Sequence, residues 1–273
     1  MSHFIVGVII PKDSNYDTLE NILAPYDENA EYDFKDCSEG IREKYLNNSV
    51  TMYRTEDDDL IAEYSPKIPR KQKEGGHSWE REKDIPKEWI KIEVPYSVLY
   101  PTMEEYVDEY DYTYSEGKPG YWYNKNAKWD WWVIGGRWDG YFNGTNVINV
   151  RDYDTSIDID KYNKYLNLWK EWENGREFSF DDEDGFDFTF YKPEYLKERY
   201  KDAETYARFN ATPWIRAIVT PDGEWHEVGE MGWWGCSDET GEDLLDWVDH
   251  FAERFILPYS NGEYEIIAVD CHI

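Results

Sequence analysis

Residues 3–10, His-Phe-Ile-Val-Gly-Val-Ile-Ile, run without a formally charged side chain until Pro11 closes the stretch. A short, continuous, β-branched apolar run predicts a strand buried on both faces. Tyr264 to Val269, apolar apart from Glu265, reads as a closing strand at the far end of the chain. Strands of this kind belong in the interior of a sheet, which makes the first and last strands expected neighbours at its centre.

The intervening pattern predicts short helices at 17–24 and 38–47. Thr102 at an N-cap with Glu105 three residues on predicts a capping box that opens a helix to about Tyr110. Ile159, Tyr162, Tyr165, Leu166, Trp169 and Trp172 lie at helical spacing within 158–173. Pro193 suits the first turn of a helix running to about Phe209. Trp214–Val219 and Glu224–Val228 read as a hairpin about Pro221-Asp222-Gly223, followed by an amphipathic helix from Glu242 to Ile256. The fold class is therefore α+β: a mainly antiparallel sheet, helices packed on one face, and long irregular insertions. A single domain over 1–273 is expected, with an irregular insertion at 54–125. That insertion holds a short helix and a basic loop, 66–91, in which eight Lys/Arg face five Asp/Glu.

The loop is an exception in a chain with 59 acidic and 29 basic residues and a formal charge of −30. Sequence-independent binding of DNA, RNA or an anionic membrane needs a Lys/Arg excess, so direct nucleic-acid and membrane partners are excluded. Disorder is opposed by an aromatic content of 18%, which supplies the apolar area a core requires. Cys37, Cys236 and Cys271 lack C-x-x-C spacing, and no paired-histidine motif is present, so neither a metal nor a cofactor is expected. The absence of a cationic leader points to a cytoplasmic location.

Aromatic density peaks at Lys128-Trp-Asp-Trp-Trp-Val-Ile-Gly-Gly-Arg-Trp138. As a strand it would turn Trp129, Trp131 and Val133 one way and Asp130, Trp132 and Ile134 the other. Arg137 either pairs with an internal carboxylate in a Trp-rich core, or joins Trp129, Asp130, Trp132 and Trp138 in an aromatic and guanidinium pocket. Gly229-Glu-Met-Gly-Trp-Trp-Gly235 adds Glu230, Trp233 and Trp234 as binding candidates. At the C-terminus, pairing of the outermost strands would bring His3 near His272, with Asp270 as an orienting carboxylate and Cys271 as a possible nucleophile. Exposed acidic faces are expected at Asp57, Asp58 and Asp59 and at Asp181, Asp182, Glu183 and Asp184. The second run fails as a calcium loop, because placing Gly185 sixth puts Phe180 first and Tyr191 twelfth.

The opening Met1-Ser2-His3-Phe4, Leu23-Ala-Pro-Tyr-Asp-Glu-Asn29, the Trp/Gly/Arg segment, Glu230–Gly235 and Val269-Asp-Cys-His-Ile273 together resemble a family of uncharacterised bacteriophage-encoded proteins. The resemblance covers about a third of the chain. It implies a phage origin and an accessory role, and brings no established activity. Two functions are expected. One is an accessory protein that binds and inhibits a host or anti-phage defence protein with a basic surface, such as a CRISPR or other nucleic-acid-handling component, through an acidic DNA-mimicking surface. The other is an enzyme or sequestering protein for a small nucleotide ligand, held by the Trp/Arg pocket.

Overall fold

A computed structural model describes residues 2–179, 182, 185–230 and 237–273. Its contacts divide the chain into two units, one formed by 1–30 with 126–273 and the other by 31–125.

The first unit is built on six strands: β1 (His3–Pro11), β2 (Trp131–Ile134), β3 (Val147–Asn149), β4 (Ala217–Val219), β5 (Trp225–Glu227) and β6 (Tyr264–His272). Their order is β2-β6-β1-β4-β5, with β3 also paired to β6. Only the β1–β4 pair among them is parallel, so the architecture is α+β with a mainly antiparallel sheet. The first and last strands are central neighbours, in register from His3 opposite His272 to Pro11 opposite Tyr264.

Alternation along β1 explains its unbroken apolar composition, because each face of the sheet has its own core. On one face Ile9, Ile218, Ile266 and Ala268 meet residues from α2 (Ile159–Glu173), α4 (Pro193–Tyr200), α5 (Ala203–Ala211) and α6 (Gly241–Phe251), with the short α3 (Phe186–Phe190) beside them. Gly7 lies on this face, where an added Cβ would stand 2.7 Å from Ile218 Cδ1. On the other face Phe4, Val6, Val8, Val269 and Cys271 meet Leu19 and Leu23 of α1 (Tyr16–Leu23). The larger helices thus share one face, and the short α1 crosses the opposite one.

The helix expected from Pro193 to Phe209 is divided. Lys201 takes φ 67°, and the Asp202 side chain accepts from Thr205 N at 2.8 Å to cap the new helix α5. A good N-cap in mid-sequence outweighs continued propensity. The strand expected from Trp214 is ordered as β4 only over Ala217–Val219, and the helix expected to reach Ile256 widens after Phe251 into a π turn. No helix among the described residues is long and apolar enough to cross a membrane.

The second unit contains the region read as irregular, 54–125, together with 31–53. Ser49–Arg54 pairs with Leu60–Ala62 and Ile90–Pro95, and Asp33–Asp36 pairs with Lys118–Tyr123. The basic loop is a two-stranded hairpin, Arg70–Gln72 against Arg81–Lys83. Its charge is largely met locally: Lys71 pairs with Glu82 and Asp84, Lys73 with Glu80, and Lys83 with Glu63. The capping box at Thr102 and Glu105 forms as expected and opens the helix Met103–Glu109. Ile41, Tyr106 and Val107 form this unit's small core, ringed by Tyr45, Tyr96 and Tyr100.

Candidate functional site

The register of β2, β6 and β1 places Trp131, His272 and His3 side by side across three strands. Period-two alternation puts Asp270, two residues before His272, on the same face. This is the face covered by the large helices, but at the end of the sheet where the row meets solvent. Trp131 is 49% exposed, whereas Asp270 is 1% exposed.

Each imidazole is fixed by a different carboxylate. His3 Nδ1 lies 2.9 Å from Asp270 Oδ1, and His272 Nδ1 lies 2.5 Å from Asp130 Oδ1. The rings meet edge to face with centroids 4.9 Å apart, and His3 is 6.1 Å from Trp131. Anchoring at Nδ1 leaves Nε2 of each ring as its free edge, the arrangement that fixes a histidine for ligand binding or proton transfer.

Asp270 is also held from above. The Arg137 backbone N–H donates to its second oxygen at 3.0 Å. That approach requires glycine at 136, which has φ +56° and where a Cβ would stand 2.4 Å from Asp270 Oδ2. Gly135 N–H donates to Ala268 O at 2.9 Å, tying the turn to β6. The turn therefore leaves the Arg137 side chain exposed, and no ion pair to its guanidinium is found among the described residues. The Gly-Gly-Arg segment thus covers a buried carboxylate through its backbone and carries the exposed Arg137 side chain on the turn above it.

The structure brings Asp130, Arg137, Asp270 and His272 together and adds His3 and Trp131. It does not assemble the expected pocket of Trp129, Trp132 and Arg137. Trp129 precedes the strand and is 7% exposed within the second core. Trp132 packs against the same core and stacks on Tyr16 at 5.6 Å. The alternation proposed for 129–134 fails because β2 starts only at Trp131, so Trp129 and Trp132 reach one core and Trp131 is the exposed ring. Trp138 is half-buried within the 136–138 turn.

Among the described residues the Arg137 side chain has no internal ion pair and is exposed, so the alternative of a core ion pair is also set aside. Asp270 orients His3, while Asp130 serves His272. Cys271 points to the opposite face and is fully buried, and burial pushes its thiol well above the ordinary range, so it is no nucleophile. Glu230 lies 3.6 Å from Lys128, which also binds Glu227 at 2.7 Å. Trp233 and Trp234 lie outside the described residues, as do Asp181, Glu183 and Asp184. Asp182 is taken up by Arg176 and Ser179, whereas Asp57, Asp58 and Asp59 are exposed.

A cavity of about 480 Å³ opens elsewhere in this unit, lined by Tyr141, Phe142, Tyr153, Asp154, Asn210 and Trp214. Burial pushes the Tyr153 hydroxyl up, so this wall stays protonated. None of His3, Arg137, Asp270 and His272 lines the cavity. Among the described residues no three or more His, Cys, Asp or Glu side chains converge as a metal site. Comparison with protein-family models, with curated proteins and with solved structures finds no match.

Proposed function

We propose that the chain binds a small phosphorylated ligand of the nucleotide class at the solvent end of its central sheet. One observation carries this reading: two imidazoles, each fixed at Nδ1 by its own carboxylate, lie under a turn that bonds Asp270 through the Arg137 backbone N–H and leaves the Arg137 side chain exposed, with no ion pair to it among the described residues. A guanidinium offers paired donors to phosphate oxygens, and the exposed Trp131 ring offers a face for a base. The net charge of −30 restricts the ligand to a small molecule, since repulsion grows with each added phosphate.

Titration with adenine and guanine nucleotides, followed by tryptophan fluorescence, tests the proposal. Arg137→Ala should weaken binding about 10-fold or more, the worth of a charge-assisted hydrogen bond. Folding stability should change by less than about 0.5 kcal/mol, because the side chain is exposed. A flat response across the nucleotides, or unchanged affinity in the variant, removes the reading.

The acidic surface supports a second role, binding a basic host or defence protein. The specific observation is the turn Asp57–Asp59, exposed between two strands, where among the described residues Asp58 alone has an ion pair, with Arg54 at 3.3 Å. Such association is steered by charge and screened by salt. Pull-down from bacterial lysate should capture a basic partner at low salt and lose it at high salt. Capture that ignores salt contradicts mimicry.

A further inference from the structure

We propose that this site hydrolyses a nucleotide phosphodiester, with His3 and His272 as the proton-transferring pair. The inference rests on the phosphorylated-ligand reading and adds the reaction and the substrate class.

Charge selects the diester. Asp130 and Asp270 already place two carboxylates beside the imidazoles, and the turn over Asp270 carries one cationic side chain, the exposed Arg137. A phosphomonoester carries close to two negative charges at neutral pH, while a diester carries one, which Arg137 alone can match. The chain's overall acidity opposes a long polymer, so the fitting substrates are cyclic nucleotides and short dinucleotides.

Geometry supplies the proton transfers. The two rings are held at Nδ1 by different carboxylates, and their planes cross at 73°. Their surroundings also differ: the Asp270 side chain is 2% exposed and shared with the Arg137 N–H, whereas the Asp130 side chain is 37% exposed. An acid–base pair needs two separate groups that can each pass a proton, and two imidazoles anchored by different carboxylates supply them.

In the step, a water oxygen forms a new bond to phosphorus as the bond from phosphorus to one sugar oxygen breaks. Water's proton passes to Nε2 of one imidazole. The departing oxygen takes a proton from Nε2 of the other, and exchange with solvent resets both rings. The products are a phosphomonoester and a hydroxyl, so the step balances with water alone. Arg137 steadies the phosphoryl oxygens where charge builds, and Trp131 positions the base.

The full chain is incubated with the five- and six-membered-ring cyclic adenosine monophosphates and with a linear diadenylate, followed by phosphorus NMR. At least one compound should give a monoester signal. His3→Gln and His272→Gln should each slow that reaction about 100-fold or more. Their dissociation constants should move less than about 10-fold, roughly the worth of one hydrogen bond, and their melting transitions should be retained. Asp130→Asn, which acts through His272, should lower kcat and leave KM unchanged. Binding of these compounds without hydrolysis overturns the catalytic proposal and leaves the binding reading standing. Absence of binding removes both, and hydrolysis that survives the two histidine substitutions overturns the assignment.

Discussion

Asp270→Ala should destabilise the first unit by about 3 kcal/mol, because it strips partners from two groups at once. The carboxylate is 1% exposed and accepts from the Arg137 backbone N–H while facing His3 Nδ1. Each polar group left buried without a partner costs about 1–3 kcal/mol, and the lost side chain also leaves a small void. The turn over Asp270 should loosen, so nucleotide affinity should fall with stability. Asp270→Asn separates the effects. Its carbonyl oxygen can still accept one hydrogen bond, so a smaller loss of about 1 kcal/mol is expected. Urea unfolding followed by tryptophan fluorescence measures both. A loss below about 1 kcal/mol for Asp270→Ala would show that the carboxylate is not the keystone of the turn.

Trp169→Ala should cost about 3–5 kcal/mol, the range for emptying a large aromatic site in a core. Trp169 is 1% exposed and lies among Trp172, Phe188 and Tyr206, with centroids 5.0, 6.1 and 5.2 Å away. Its indole N–H is buried without a hydrogen-bond partner among the described residues. Removing the ring therefore relieves an unsatisfied donor, which places the expected cost toward the low end of that range. Trp169→Phe should retain most of the apolar contact and cost less than about 1.5 kcal/mol. Thermal unfolding distinguishes the cases. Equal losses for Ala and Phe would mean that the phenyl ring does not replace the indole's packing at this site, which contradicts the expected tolerance of a smaller aromatic ring.

The central sheet was legible in the sequence because each terminal strand carries a continuous apolar stretch, Phe4–Ile10 and Ile266–Val269, that fills both faces. Their pairing also made His3, His272 and Asp270 foreseeable as a group. The pairing of Asp130 with His272 was not foreseeable, since it depends on β2 joining β6 at Trp131 opposite His272, 141 positions along the chain. Period two assigns faces only after the strand's first residue is known. Starting at Trp131 instead of Trp129 reversed which tryptophan is exposed. The insertion was hard to read for another reason: its strands are short and charged, and ion pairs such as Lys83–Glu63 carry a pattern that hydrophobic periodicity does not show.

Five histidines allow the binding site to be tested directly. Imidazole nitrogen–proton NMR spectra are recorded while a slowly hydrolysed phosphorothioate analogue of cyclic adenosine monophosphate, a diester, is added to the full chain. The Nε2 signals of His3 and His272 should move together and saturate, with those of His77, His226 and His250 unchanged, and Arg137→Ala should suppress the movement. If the His3 and His272 signals stay fixed while the protein binds the nucleotide, or all five drift alike, the ligand site is not at the end of this sheet.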